Sequence, residues 1–237
     1  MEKHPKELAE GLNISEAELI LENLKPERTV SRRIEKATAW FLGRPYVEGS
    51  LGGGPDSTEE LWILLDAFDC VTFMETVMAF ALAQSVERVV EAVRLIRYQD
   101  GAIDWFHRNH YMVDWTQNNQ KAGFIDNITS GPATLTKTCD LNLIPGLPPK
   151  TATFAYFPND AYDEVVRRSE TGDLVLFVST KEILDVFHTG VLIESDGVLM
   201  MRHATRSHGA VIEQRLDEFA SQNKMSGFVL LRPVCPS

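Results

Sequence analysis

Residues 67–85, AFDCVTFMETVMAFALAQS, are apolar on almost every side of a helix that runs from about Cys70 to Ala83. A helix of this kind has to be enclosed by other parts of a protein or by lipid. Glu75 interrupts the apolar run, and no run in the chain is long and apolar enough to cross a bilayer. We therefore expect the helix to lie in a protein core, which a chain of 237 residues can form without disulfides or metals.

The first 43 residues and the stretch after Ser85 also have helical periodicity. Ser15 and Glu18 match a capping box at the start of one helix. Three leucines then recur at roughly helical spacing, Leu19, Leu21 and Leu24. TVSRRIEKATAWFLG predicts a helix with Gly43 as its C-cap, and SVERVVEAVRLIRYQDG predicts a further helix. The Gly, Pro and Ser content of RPYVEGSLGGGPDST predicts a loop.

After about residue 170 the hydrophobic pattern changes from that of helices to that of strands. Four short β-rich runs are separated by turn signals: DLVLFVST, HTGVLIE, GVLMMRHAT and GFVLLRPV. One helix, VIEQRLDEFASQ, precedes the last run. Helices first and an antiparallel meander later predict an α+β fold.

We interpret residues 1–237 as a single domain with four parts. Residues 1–43 form a helical N-terminal segment, and residues 44–100 hold the loop and the apolar helix. Residues 101–165 are irregular and rich in aromatic and amide side chains, which indicates an inserted lobe or a long functional loop. Residues 166–237 form the β-sheet.

Charge and cysteine content exclude several classes of protein. The formal net charge is −11, and phosphate binding needs a basic surface, so nucleic acid is not the expected partner. Cys70, Cys139 and Cys235 lie far apart and form no CxxC or Cys/His cluster. His107 and His110 are three residues apart and have no third ligand at a suitable spacing. We therefore predict neither a metal nor another cofactor.

The N-terminus, MEKHPKELAEGLN, has no apolar segment of the kind found in secretory signals. The residues by themselves therefore fit a cytoplasmic protein, or a protein whose signal has been removed. They predict no membrane span and no obligate protein partner.

Cys70 lies at the predicted start of the apolar helix. With Asp69 as N-cap, Cys70 is the first helical residue, and Phe68 can pack on Phe73 in a hydrophobic staple. A rival start, the capping-box sequence TFME, leaves the cysteine just upstream of the helix. Both starts place the thiol near the positive end of the helix dipole, which favours a thiolate. The alternative is a small buried core residue, as cysteines outside disulfides often are.

Two histidines lie on neighbouring predicted strands, His188 at the start of HTGVLIE and His203 near the end of VLMMRHAT. The sequence ESDG between them predicts a hairpin. A two-residue turn at 196–197 would pair Ser195 with Val198 and put both histidines on one face, as diagonal neighbours roughly 7 Å apart. A three-residue turn would put them on opposite faces.

Cys70, His188 and His203 supply the groups needed for nucleophilic catalysis. A thiolate attacks an acyl carbon, a histidine takes and returns the proton, and a third polar group orients that histidine. Gly190, which would face His203 in the two-residue hairpin, would leave room for the ring. The alternative is that both histidines are ordinary strand residues whose ring nitrogens are satisfied within the protein.

The combination GRPYVEGSLGG…FDCVTF resembles the G-x-P-Y-x-x-G-G…F-D-C-S-G signature of the NlpC-like superfamily of papain-like cell-wall peptidases and amidases. HTGVLI and RHAT resemble the later strands that carry the histidine and the third polar residue of that family. The resemblance covers residues 43–83 and about 172–232. FDCVTF and a Y…DW…N pattern also resemble one branch, N-acetylmuramoyl-L-alanine amidases once catalogued only as a domain of unknown function.

This resemblance implies a papain-like fold in which the Cys70 helix packs on a C-terminal antiparallel sheet. It implies that residues 1–237 form one catalytic domain with Cys70 as nucleophile, His188 as general base and His203 as the orienting residue. Tyr46 matches the tyrosine of the Pro-Tyr pair, which implies a role in positioning or in donating to the oxyanion with the Cys70 backbone N–H. The alternative for Tyr46 is an aromatic residue that anchors the loop.

One departure from the signature bears on the substrate. D-C-S-G becomes Asp69-Cys70-Val71-Thr72, and Val71 cannot supply the serine hydroxyl that helps endopeptidase members bind the free amine of L-Ala. We therefore expect cleavage of the amide between N-acetylmuramic acid and L-Ala, in peptidoglycan or its turnover fragments, through a thioester acyl-enzyme. The alternatives are a γ-D-glutamyl-L-diamino acid endopeptidase, a non-catalytic cell-wall-binding module and an acyltransferase.

The residues predicted to bind this substrate are Asp69 at the helix start and Tyr111, Asp114, Trp115 and Asn118 in the middle segment. Aromatic rings in that segment can stack on a pyranose; the alternative is that they belong to the core. The expected partner is peptidoglycan or a muropeptide. This substrate implies the periplasm or cell envelope of a bacterium.

Overall fold

The computed structural model of the protein describes residues 9–236. The first eight residues, part of the predicted helical segment 1–43 and of the N-terminus discussed above, lie outside the described residues. The chain divides into two compact units. The first unit comprises the chain up to Asn109 together with His203–Ile212, and the second comprises His110–Arg202 together with the chain from Glu213. The single catalytic domain over residues 1–237 stays a prediction.

The helices of the first unit surround the apolar segment that the sequence places in a core. They are α1 (Ile14–Leu24), α2 (Val30–Trp40), α3 (Cys70–Leu82) and α4 (Val86–Arg97). Helix α3 contacts α1, α2 and α4. Every residue of α3 from Thr72 to Ala81 is buried, so the prediction of an enclosed helix is confirmed.

The one acidic residue of α3, Glu75, is buried in an ion pair. Arg97 on α4 donates from Nε to Oε2 of Glu75 at 2.7 Å, and both side chains are 2% exposed. Arg97 also donates to the carbonyl of Trp62 at 2.6 Å. The charge of Glu75 can be buried on this apolar helix because Arg97 supplies the opposite charge and a hydrogen bond.

Helix α1 begins earlier than its capping-box pattern predicts. The side chain of Asn13 accepts a hydrogen bond from the Glu16 backbone N–H at 3.1 Å, so Asn13 and not Ser15 is the N-cap. Leu19 is 61% exposed. The buried residues of the helix are Ala17, Ile20 and Leu24. The prediction was wrong because Asn and Ser are comparable N-caps, and because Leu19 and Leu21, two residues apart, do not lie on the same side of a helix.

The second unit contains most of an antiparallel sheet. Its helices are α5 (Met112–Lys121), α6 (Tyr162–Arg168) and α7 (Leu216–Gln222). The strands of the described chain are β1 (Ile125–Asn127), β2 (Leu135–Leu141), β3 (Lys150–Pro158), β4 (Leu174–Val178), β5 (Val186–Ser195), β6 (Val198–Thr205), β7 (Ala210–Arg215) and β8 (Gly227–Pro233). Their order in the sheet is β2-β3-β8-β4-β5-β6-β7, and β1 also pairs with β8. The predicted order of helices first and an antiparallel sheet later is confirmed.

The middle segment, predicted to be irregular over residues 101–165, contains regular structure. It holds α5 and strands β1, β2 and β3. Strand β2 pairs with β3, and both β1 and β3 pair with β8. In the β1 ladder Ile125 lies opposite Pro233, so the partner strand is far away in the sequence. Local patterns do not identify such strands, because strand preference depends on the neighbours that a strand finds.

One core of the second unit joins the sheet to α6 and α7. Phe177 of β4 and Phe228 of β8 pack in the same buried cluster as Val165 of α6 and Phe219 of α7. The rings of Phe177 and Phe219 have centroids 4.4 Å apart. The His188 ring packs against Phe177 and Phe219 of this core, so it lies on the face of the sheet that the core covers.

Within the described residues, 9–236, Cys70, Cys139 and Cys235 form no disulfide. Within that range, no helix combines the length and apolar character needed to cross a bilayer. No group of three or more His, Cys, Asp or Glu side chains there is arranged to hold a metal ion.

Candidate functional site

Asp69 is the N-cap of α3, so Cys70 is the first helical residue, as one of the two predicted starts requires. Oδ1 of Asp69 accepts from the backbone N–H groups of Val71 at 2.9 Å and Thr72 at 2.8 Å. The Thr72 hydroxyl completes the capping box by accepting from the Asp69 N–H at 3.0 Å. The rival start at TFME is wrong, because its glutamate is buried in an ion pair further along the helix. The half-buried Cys70 therefore lies at the helix end that favours an anion.

Two phenylalanines set the direction in which the chain enters α3. The ring centroids of Phe68 and Phe73 are 5.8 Å apart, with an angle of 75° between the ring planes. Phe41 packs edge-on against Phe68 at 4.9 Å. All three side chains are buried. The predicted hydrophobic staple is confirmed, so core packing determines where the chain presents Cys70.

The Pro-Tyr segment runs beside this helix start. Phe68 donates its N–H to the Pro45 carbonyl at 3.0 Å, and Val47 donates its N–H to the Phe68 carbonyl at 2.9 Å. On its other side, the backbone N–H of Tyr46 donates to the carbonyl of Gly209 at 2.8 Å. Backbone hydrogen bonds on both sides therefore hold Tyr46 next to the residues that precede Cys70.

The hydroxyl of Tyr46 is electrostatically coupled to the cysteine. Burial, followed by the negative charges of ionised Cys70, Glu48 and Asp69, raises the pKa of Tyr46 above its ordinary value, and Arg206 opposes the shift. A phenol with a raised pKa keeps its proton at neutral pH and can donate a hydrogen bond. Arg206 and Glu48 form an exposed ion pair at 3.2 Å, which places one charge of each sign near the tyrosine.

Strands β5 and β6 form the predicted two-residue hairpin. Ser195 pairs with Val198, and the register continues without a shift as far as Arg202. The turn residues have positive φ, 51° at Asp196 and 76° at Gly197, as a type I′ turn requires. The predicted turn is therefore confirmed, and the pairing nearer to the two histidines stays a prediction.

The expected space over Gly190 is occupied by another residue. A Cβ added to Gly190 would lie 2.5 Å from Sδ of Met201. Met201 pairs with Leu192, so it is a diagonal neighbour of Gly190, and its long side chain can reach across the strand. Gly190 thus accommodates Met201, and the room expected there for His203 stays a prediction.

The two histidines lie in different surroundings. His203 is 1% exposed and belongs to the first unit, as Cys70 does. His188 belongs to the second unit and is half-buried. Its ring stacks on Phe219, with centroids 5.2 Å apart and 25° between planes, and on Phe177, at 6.0 Å and 27°. Aromatic packing therefore fixes the plane of the His188 imidazole.

Asp185, three residues before His188, has a buried carboxylate whose role was not predicted from the sequence. Asp185 is 2% exposed. It accepts hydrogen bonds from the N–H of Val113 and the N–H of Val186, each at 2.8 Å. Burial raises the pKa of Asp185 even though these hydrogen bonds act in the opposite direction. Asp185 therefore ties the start of α5 to the start of β5, and the acidic residue that opens DVFHTG is the sequence signal for it.

Two of the predicted substrate-binding residues are core residues. Tyr111 is 4% exposed, and its hydroxyl accepts from the backbone N–H of Leu143 at 2.8 Å. Trp115 is 0% exposed. Tyr111 is the N-cap of α5 and Trp115 lies four residues further on, so the two side chains lie on the same side of the helix. The prediction that these rings stack on a sugar is therefore wrong.

Three further residues of the middle segment, Trp105, Asp114 and Asn118, are partly exposed. Asp114 and Asn118 are half-buried, and Lys150 forms an ion pair with Asp114. The guanidinium of Arg108 lies 4.5 Å from the ring centroid of Trp105 and covers one face of it. Substrate binding by Asp114 and Asn118 stays a prediction.

The family model described as AmiA-like, N-acetylmuramoyl-L-alanine amidase-like, matches residues 36–228. The matched span includes Tyr46, Cys70, His188 and His203. No curated protein matches the chain.

Solved structures of three bacterial proteins share the fold. A Legionella pneumophila protein of the DUF1460 family is 23% identical, with a TM-score of 0.82 over 94% of this chain and 96% of its own. An N-acetylmuramoyl-L-alanine amidase from Bacteroides uniformis is 24% identical, with a TM-score of 0.75 over 86% of this chain and 98% of its own. A Bacteroides fragilis protein provisionally named a xylanase is 25% identical, with a TM-score of 0.71 over 83% of this chain and 98% of its own.

Proposed function

The chain belongs to the AmiA-like, N-acetylmuramoyl-L-alanine amidase-like family, and from that membership we propose that it hydrolyses the muramyl–L-Ala amide with Cys70 as nucleophile. The observation that carries this proposal is the place of Cys70 as first residue of α3, capped by Asp69 and electrostatically coupled to Tyr46. A papain-like arrangement of helix-borne cysteine and strand-borne histidines is part of the same proposal.

In the first half of the proposed reaction, the Cys70 thiolate attacks the carbonyl carbon of the muramyl lactyl group. The tetrahedral oxyanion accepts hydrogen bonds from the Tyr46 hydroxyl and the Cys70 backbone N–H. The C–N bond then breaks while the His188 imidazolium gives its proton to the departing L-Ala amine. A thioester between Cys70 and the lactyl group remains.

Water completes the reaction. His188 takes a proton from a water molecule, whose oxygen attacks the thioester carbon, and the C–S bond breaks to restore the Cys70 thiolate. His203 orients the His188 imidazole in both halves. One water is consumed, and the products are a muramic acid with a free lactyl carboxylate and a peptide with a free L-Ala amine.

The start of α3 favours a substrate whose L-Ala nitrogen is already part of an amide. Oδ1 of Asp69 is engaged by the N–H of Val71 and by both the N–H and the hydroxyl of Thr72. Val71 adds no polar side-chain group. A free α-ammonium would need acceptors beside Cys70, and three donors already occupy Oδ1 of Asp69. The proposed substrate places the activity in the periplasm or envelope of a bacterium.

The test is mass spectrometry of products from two substrates, a disaccharide-tetrapeptide and the free tetrapeptide. We expect the first to give the disaccharide with a free lactyl group and the intact tetrapeptide, and the second to stay uncut. Cleavage of both between D-Glu and the third residue would identify the endopeptidase instead. Binding without hydrolysis would indicate a cell-wall-binding module, and transfer to an added amine would indicate an acyltransferase.

A further inference from the structure

The second unit contains a cavity of about 250 Å³ between α5 and the sheet. Its floor is made by buried apolar strand residues, Leu176, Val186 and Val229. Its rim carries three exposed carboxamide side chains, Gln117, Gln120 and Asn127. The cavity therefore combines an apolar surface with donors and acceptors that face solvent, as small-molecule sites do.

The lining of this cavity contains no Asp, Glu, Lys, Arg or His within the described part of the chain. A charged ligand would lose hydration there without gaining an opposite charge. The lining therefore selects a neutral ligand with an apolar face and several hydrogen-bonding groups. An N-acetylated sugar has these features in its ring C–H groups, its methyl group, its amide and its hydroxyls.

The size of the cavity limits the ligand to one ring. Pockets that hold drug-sized ligands span roughly 300–1,000 Å³, and a volume of about 250 Å³ is slightly smaller. A buried hydrogen-bond network keeps part of the wall in place. Val113 and Val186 both line the cavity, and the backbone N–H groups of both are bound by Asp185.

The cavity lies on the face of the sheet opposite to the His188 ring. Leu176 pairs with both Thr189 and Val229, whereas Phe177 pairs with His188. Successive strand residues point to opposite faces. Leu176 and Val229 on the cavity floor therefore point away from the face that carries the imidazole, so a ligand in the cavity does not touch His188.

We propose that this cavity binds one neutral N-acetylated sugar residue and anchors a glycan on the sheet face opposite to His188. The proposal rests on the proposed function, because the glycan of peptidoglycan is built from N-acetylated sugars. In this proposal the middle segment binds the sugar through the carboxamides of Gln117 and Gln120 on α5, and not through the rings of Tyr111 and Trp115.

The experiment is an NMR titration of the full chain with N-acetylglucosamine and, in parallel, with glucose, which lacks the acetamido group. We expect N-acetylglucosamine alone to shift amide signals of α5 and β8. The double variant Gln117→Ala/Gln120→Ala should raise Kd by about fivefold or more, because it removes hydrogen-bonding groups from the rim. The matched control is Gln222→Ala, at an exposed glutamine of α7, which should leave Kd unchanged.

Three results would overturn the proposal: no shift with N-acetylglucosamine, equal shifts with glucose, or an unchanged Kd in the double variant. Hydrolysis of the disaccharide-tetrapeptide is measured on the same samples. A wild type that hydrolyses this substrate without binding the sugar refutes the cavity site alone. A wild type that binds the sugar but hydrolyses nothing refutes the proposed function alone.

Discussion

Glu75 and Arg97 form an ion pair in the core of the first unit, with 2.7 Å between Oε2 and Nε and both side chains 2% exposed. Arg97 also donates to the Trp62 carbonyl, so the pair connects α3, α4 and the chain that precedes α3. The helix that begins at Cys70 thus carries a buried negative charge whose compensation comes from Arg97.

Replacing Arg97 by Met removes the cation that pairs with the buried Glu75 carboxylate. We expect the free energy of unfolding to fall by about 3–5 kcal/mol, measured by urea denaturation. Adding Glu75→Leu to Arg97→Met should recover much of this loss, because the uncompensated charge is then gone.

The matched control for the ion pair is Lys25→Met. Lys25 and Glu22 form a pair whose side chains are 73% and 70% exposed, and such pairs contribute about 0–1 kcal/mol. Equal losses for Arg97→Met and Lys25→Met would contradict the account of the buried pair.

Asp185 should give the protein a pH-dependent stability. Burial raises its pKa in the folded state, whereas in the unfolded chain the group titrates near an ordinary value of about 3.9. Between these two pKa values the folded state binds more protons than the unfolded state. The contribution of Asp185 to the free energy of unfolding therefore decreases as pH rises through that interval and is constant above it.

Asp185→Asn removes this titration and leaves one acceptor oxygen for two N–H donors. We expect the free energy of unfolding to fall by about 1–3 kcal/mol. The difference in the free energy of unfolding between wild type and variant should become smaller as pH rises from about 4. Asp126→Asn, at an exposed residue of β1, should change stability by less than about 0.5 kcal/mol. If the difference in the free energy of unfolding between wild type and Asp185→Asn instead became larger as pH rises, a raised pKa of Asp185 would be contradicted.

Features of the site that depend on neighbouring residues were predictable from the sequence. The N-cap at Asp69, the staple of Phe68 on Phe73 and the two-residue turn at 196–197 involve residues within a few positions of one another. Caps and tight turns have strong residue preferences of their own. The first helical position of Cys70 follows from them.

Features that depend on distant parts of the chain were not predictable in this way. Strand β1 is short and has its partner at the end of the chain. The burial of Tyr111 and Trp115 is decided by what packs on α5 and not by the residues of α5 alone. The sequence DVFHTG shows an acidic residue at position 185, but the role of Asp185 depends on the Val113 N–H, which lies 72 residues away.

His188→Phe separates the packing of this residue from its chemistry. A phenyl ring can keep the stacking on Phe177 and Phe219, so the free energy of unfolding should change by less than about 1.5 kcal/mol. Loss of the general base should lower kcat/KM for the disaccharide-tetrapeptide by about 10²–10⁴-fold. His208→Phe, at an exposed residue, should leave kcat/KM unchanged, and comparable losses in both variants would contradict the role assigned to His188.

The most direct test of a cysteine amidase compares Cys70→Ala with Cys235→Ala. Cys235 is exposed and lies outside the matched span of the family model. The measurement is kcat/KM for release of the tetrapeptide from the disaccharide-tetrapeptide, with urea denaturation to verify that both variants fold. We predict that Cys70→Ala lowers kcat/KM by at least about 10⁴-fold and that Cys235→Ala matches wild type. A folded Cys70→Ala protein that keeps its kcat/KM within tenfold of wild type would contradict the account.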